Sequence, residues 1–318
     1  MQRTSLIFIA LVALFLLSPL LLNPYWVDVL NNVGLYAILG LSLNLIVGHA
    51  GLFNLGHAAF YAVGAYTAAI LNTRFQIPVL WLLPICALSS GLFAGIIARP
   101  IIHLRGDYLC IVTIGMGEIV RIALLNNVFG ITGGVNGIFG IARPSLFGIS
   151  IQTPHEFFYL IWGFVSLTIF LFHRLENSRF GRALNYLRED EVAAEGSGVN
   201  VAHYKLACFV LGAAWAGMAG DIFAAKMTII SPESFSFWES VLMFTLIILG
   251  GSGSIPGVML GAFLIIGLPE VFREFANARL LVFGAAMVAM MIFRTEGILP
   301  PRPRTYPSIE PPSGEGRR

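Results

Sequence analysis

Charge is the first thing this sequence has little of. Asp, Glu, Lys and Arg make up 11% of its 318 residues, against about a quarter in soluble globular chains. A water-facing surface needs those charges, so a soluble globular fold is excluded. Cysteine is scarce as well. Cys86, Cys110 and Cys208 are far apart, each within an apolar run, and they read as free thiols rather than metal ligands or disulfides. No basic cluster with interleaved aromatics is present, which argues against a nucleic-acid partner. Enzyme signatures are missing too. There is no G-x-x-x-x-G-K-[ST] loop for nucleotide phosphates, no G-x-S-x-G, and no H-E-x-x-H. Neither Gly115-Met-Gly117 nor the glycines of 250–257 complete a dinucleotide fingerprint. No catalytic residue, cofactor or metal is therefore expected, and His49 and His57, eight apart without companion carboxylates, do not suggest a metal site.

What is there is hydrocarbon. Apolar residues make up 57% of the chain, and they gather in long unbroken runs rather than the short alternating segments of a membrane barrel. The runs fall near 5–22, 29–47, 57–71, 79–98, 108–125, 157–173, 205–225, 237–249, 257–272 and 279–293. The expected fold is all-α: a polytopic membrane protein of about ten transmembrane helices with broken or re-entrant segments. The run 237–249 is short for a full span and can be re-entrant. The first run is longer than the apolar core of a signal peptide and lacks an A-x-A-like site after it, so it reads as a span. With the N-terminus inside, thirteen Lys and Arg residues fall on the cytoplasmic side and five on the other, Arg121 lying within a span. That bias predicts cytoplasmic N- and C-termini. The domain reading is a transmembrane domain over 1–299 carrying a cytoplasmic loop at 174–204, then a disordered cytoplasmic tail at 300–318 rich in Pro, Gly and Arg. A long external segment spans 126–156.

Three stretches hold polar groups where apolar ones are expected. Segment 44–61 mixes glycines with Asn44, His49, Asn54, His57 and Tyr61. Polar groups at membrane depth are costly unless used or satisfied, so it reads as a broken helix beside a solute path. Helix packing with an interfacial turn is the plainer alternative. Glu118 and Arg121 share one helical face at i,i+3 spacing and are either the lining of a pathway or a structural ion pair near a helix end. Gly250, Gly251 and Ser252 interrupt a second pair of apolar runs, a faint echo of Gly48-His-Ala-Gly51, as in transporters whose helices break at the substrate site. Gly91-x-x-x-Gly95, Gly257-x-x-x-Gly261 and the Gly/Ala stretch at 212–220 are small-residue faces for close helix packing.

Residues 178–200 form one long amphipathic stretch outside the bilayer. Phe180, Ala183, Leu184 and Leu187 recur at helical spacing, among Arg182, Arg188, Glu189, Asp190, Glu191 and Glu195. A loop lying on lipid would lean basic, and this one carries four acidic residues. It reads as a protein-docking element, with Phe180, Gly181, Arg182, Leu187, Arg188, Glu189, Asp190, Glu191 and Glu195 as its candidate residues.

Taken in order, the motifs resemble those of the LivM-type permease subunit of ATP-binding-cassette importers for branched-chain amino acids. The resemblance rests on Asn44–Ala69, on Arg105-Gly-Asp-Tyr through Gly117-Glu-Ile-Val-Arg121, and on Thr132-Gly-Gly-Val-Asn-Gly-Ile138. It continues in Phe180-Gly-Arg-Ala through Gly198-Val-Asn200, in Ser231-Pro-Glu-Ser-Phe-Ser-Phe-Trp238 and in Leu249-Gly-Gly-Ser-Gly-Ser through Gly257. The set covers most of the chain from about 30 to 297. It implies a subunit of the bacterial inner membrane that works with a second homologous permease, two ATP-binding subunits and a periplasmic solute-binding protein, with 178–200 docking an ATPase. The importer docking motif reads Glu-Ala-Ala then Gly, whereas here Val192 precedes Ala193-Ala194 and Glu191 stands one place earlier. The resemblance also allows a urea or short-amide permease of the same superfamily. A stand-alone channel or ion-coupled carrier is the reading from a different class.

Overall fold

A computed structural model describes residues 17–104, 106–146, 149–271 and 297–301, with positions 284, 288 and 292–294. Most of the apolar runs at 5–22 and 279–293, Arg105 and residues 302–318 of the tail lie outside the described residues. The described chain is almost entirely helical. Six helices are long and apolar enough to cross a membrane, among the described residues. They are α1 (Pro24–His49), α3 (Val79–Ile101), α4 (Asp107–Leu125), α5 (Pro154–Glu176), α8 (Val201–Met227) and the unit Pro232–Gly250. Between them lie α2 (His57–Phe75), the short α6 (Arg179–Glu189) and α7 (Glu191–Gly196), and α10 (Ile255–Val271). Each apolar run between 29 and 271 is thus a helix. The unit Pro232–Gly250 consists of a 3₁₀ turn, Pro232–Phe235, and a 14-residue helix α9, Phe237–Gly250. Alone, α9 rises about 21 Å, short of the roughly 30 Å hydrocarbon core.

The hub is α1. Of its apolar window, 83% is buried within the molecule, against 17% for α4 at the periphery. Small residues let its neighbours close in. Gly34 of α1 abuts Ile161 and Trp162 of α5, and Gly40 abuts Leu246 of α9 and Val258 of α10. A close approach joins α2 to α8, where Gly64 faces Gly217 so nearly that a Cβ on Gly64 would overlap the Gly217 carbonyl. Gly91 and Gly95 lie against Val210 of α8, and Gly257 and Gly261 lie against Gly250 and Leu246 of α9. The small-residue faces anticipated from sequence are therefore packing faces, where van der Waals contact replaces the hydrophobic drive that lipid removes.

Neighbour contacts fix which helix ends lie together. Asp28 and Asn32 of α1 meet Lys226 at the end of α8, the ion pair at 2.8 Å, while Leu45 near the far end of α1 accepts from Cys208 near the start of α8. The end that holds the start of α8 also holds α6, α7, the end of α5 and the Gly250–Gly253 turn. The opposite end is closed by the 126–153 segment. There Asn127 Oδ1 accepts from the backbone of Thr132 and Gly133, both at 3.0 Å. The short strand Ile138–Phe139 pairs antiparallel with Ile229–Ile230 ahead of the Pro232 turn. Thr153 and Glu156 form a capping box that starts α5.

Candidate functional site

Helix α1 ends in a π-helical turn, Leu45–His49, a distortion often found at functional sites. Residues 51–56 are then non-helical, and α2 begins at His57. His57 Nε2 lies 2.8 Å from Ser42 Oγ. Ser42 stands seven residues before the end of α1, so the broken segment climbs back about 10 Å along that helix before α2 starts. Irregular backbone at membrane depth must find partners inside the protein, and here it does. Leu55 N–H donates to Thr113 Oγ1 of α4, Gly56 N–H to Asn54 Oδ1, and Ala58 N–H to Ser240 Oγ of α9. Asn54 and His57 are fully buried, their side chains 3.4 Å apart. Tyr61 stacks edge-on against Phe235 of the Pro232 turn, ring centroids 5.0 Å apart. Helix capping and packing therefore use most of the polar groups of 44–61, which makes the break a built feature.

The second break meets the first. Helix α9 ends at Gly250, buried Gly251 adopts φ 124°, Ser252 is half-buried, and α10 starts after the Ser254 cap. Asn44 Oδ1 accepts the Gly253 N–H at 2.8 Å, and a Cβ on Gly48 would overlap that same nitrogen. The last carbonyls of α9, orphaned by the end of the helix, accept from beyond the last apolar run. Ile298 N–H reaches Leu249 O at 3.0 Å, and Leu299 N–H reaches Gly250 O at 2.9 Å. His49, Arg188, Glu189, Gly253, Ser254 and Leu299 are among the residues around an open cavity of about 860 Å³ at this end.

Docking candidates form a helical pair. Ser178 Oγ caps α6, and Asp190 Oδ1 caps α7 by accepting from Val192 and Ala193. Gly181, Ala183, Leu184 and Leu187 are buried, and Phe180 packs against Tyr204 of α8. Glu191 bonds Lys205 at 2.8 Å, a lysine with only 3% of its surface exposed. Arg188 donates to the Gly48 carbonyl. The exposed face presents Arg182, Glu189, Asp190 and Glu195 around two apolar side chains, Tyr186 and Val192.

Glu118 and Arg121 do pair, at 2.9 Å, near the end of α4, and Glu233 of the Pro232 turn joins them at 3.3 Å. Their ion pairs run to each other and to Glu233 rather than to the two breaks. Two further acids lie in the bundle, Asp221 buried and Glu239 half-buried. Glu239 of α9 accepts from Tyr36 Oη of α1 at 2.6 Å. Asp221 of α8 is fully buried, and neither of its oxygens has a hydrogen-bond partner among the described residues. Each sits in an apolar run, which was the signal available to find them. Ionisable groups in the apolar runs are thus not confined to Glu118 and Arg121.

The sequence that builds this membrane bundle is similar to those of known proteins. No solved structure matches the chain significantly. The LivM permease protein of the high-affinity branched-chain amino acid transport system of Escherichia coli is 39% identical over 99% of this chain and 79% of its own length. The BraD permease of Pseudomonas aeruginosa is 28% identical, over 83% of this chain and 91% of that one. LivH of Escherichia coli is 27% identical, over 75% and 82%. The family described as branched-chain amino acid transport system, permease component, matches residues 25–293, and this multi-pass membrane protein belongs to it.

Proposed function

We propose that the chain is a membrane-spanning permease subunit of an ATP-driven importer and forms half of the translocation pathway for branched-chain amino acids. Identity at 39% along nearly the whole chain to a high-affinity permease of that system carries the reading. It works beside a second homologous permease in the bacterial inner membrane, with two ATP-binding subunits and a periplasmic solute-binding protein. The chain itself hydrolyses no ATP. Its N- and C-termini face the cytoplasm. The end bearing α6 and α7 gathers Arg99, Arg174, Arg179, Arg182, Arg188 and Lys205, and positive charge stays on the cytoplasmic side.

Helices α6 and α7 dock an ATPase, Tyr186 and Val192 supplying apolar anchors within a charged rim. Closure of the ATPase pair moves α6, and the breaks at 48–57 and 250–253 open the pathway on alternate sides. Reconstitution with the binding protein and ATPases, followed by uptake of leucine against urea, tests this. Leucine uptake that requires ATP is expected. Urea uptake without leucine uptake would reverse the substrate, and solute movement by the chain alone without ATP would sink the importer reading.

A further inference from the structure

Arg188 belongs to the docking element by sequence, but its guanidinium is aimed into the membrane domain. It lies one residue before the end of α6, and its Nη1 donates to the carbonyl oxygen of Gly48 in the last turn of α1. That carbonyl is among those left without an intrahelical partner when α1 ends. The same nitrogen stands over the other break, since a Cβ on Gly253 would come 2.9 Å from it. The Arg188 stem lies against Gly51, the positive-φ residue that turns the chain out of α1. A Cβ there would lie 3.3 Å from Arg188 Cγ. Asn44 closes the set by holding Gly253 against α1. One side chain thus touches both glycine breaks, and the lack of a Cβ at 51 and 253 gives it the room.

We infer that Arg188 is a positioning residue, a latch that ties the end of α6 to both glycine breaks so that movement of the docking helix is passed to them. The inference rests on the reading of α6 and α7 as an ATPase-docking element, and it assigns Arg188 a role distinct from holding the ATPase. An arginine suits the position. Its planar fork can bond one carbonyl while lying flat over the neighbouring backbone, whereas a lysine offers a single compact charge on a flexible stem. The latch is also open to displacement. It is one charge-assisted hydrogen bond at an exposed helix end, with nothing covalent to break.

The test uses the full complex in proteoliposomes, with leucine uptake and ATP hydrolysis read on the same sample for wild type, Arg188→Gln and Arg188→Lys. Both variants should keep the ATPase subunits through purification. Arg188→Gln should hydrolyse ATP at close to the wild-type rate yet import about fivefold less leucine per ATP, and Arg188→Lys should lose roughly twofold. A merely structural role would lower assembly or both rates together and leave their ratio unchanged. An unchanged ratio in Arg188→Gln overturns the latch, as does selective loss of the ATPase from it, which would make Arg188 a docking contact. If Arg188→Gln fails to reach the membrane, an unchanged ratio in Arg188→Lys decides against the latch in the same way. Loss of the ATPase from wild type as well would instead remove the docking reading on which the latch stands.

Discussion

The side-chain oxygen of Asn44 accepts the backbone N–H of Gly253 at 2.8 Å, across 209 residues of chain. The bond is buried and joins the end of α1 to the turn between α9 and α10. An Asn44→Ala variant strands a buried N–H, which costs about 1–3 kcal/mol. Asn44→Asp keeps an acceptor and is expected to lose less. Thermal unfolding in detergent measures both, and equal midpoints for Asn44→Ala and wild type would show the contact to be unimportant for stability.

Gly64 and Gly217 set the distance between α2 and α8. A Gly64→Val substitution forces backbone apart and is expected to destabilise by about 1–3 kcal/mol or to abolish folding, as overpacking does. Gly115 of α4, where a Cβ would meet nothing within 4 Å, is the matched control. Gly115→Val should stay within about 0.5 kcal/mol of wild type. Comparable losses at both positions would remove the packing argument.

Tyr186 and Val192 are 50% and 69% exposed on the α6–α7 pair. Tyr186→Ala and Val192→Asp should each weaken retention of the ATPase about tenfold, equivalent to roughly 1.4 kcal/mol, while membrane insertion stays normal. Quantitative co-purification checks this, and undiminished retention in both variants would move the docking surface elsewhere.

Lys205 is the buried member of its pair with Glu191, whose side chain keeps 27% of its exposure. Removing the acid leaves a cation in an apolar setting. Glu191→Gln is expected to cost roughly 1–3 kcal/mol, less than a fully buried pair because solvent reaches one side. Lys205→Met combined with Glu191→Leu should recover part of that loss. A double variant as unstable as the single one would argue that the charge pair itself is stabilising.

Much of this was legible in the residues. Every apolar run between 29 and 271 became a helix, because lipid leaves the backbone no other local partner. Glycine clusters at 48–51 and 250–253 marked the breaks, and the spacing of Phe180, Ala183, Leu184 and Leu187 marked the buried side of α6. These are local signals, set by what a short segment can bury or expose. Bounds were less legible: α9 is extended by a 3₁₀ turn that Pro232 begins, and turn chemistry does not announce its depth in a membrane.

By itself, then, the sequence determined a helical membrane protein, its breaks and the amphipathic pattern of α6. Tertiary structure alone decided that the two breaks touch, that Arg188 bonds the Gly48 carbonyl, and that Asp221 is enclosed in the bundle while Glu239 meets Tyr36. The reason is physical. Hydrophobic period and the cost of charge in hydrocarbon act within a few turns of chain, whereas the Arg188–Gly48 and Asn44–Gly253 contacts span 140 and 209 residues and exist only once the helices have packed.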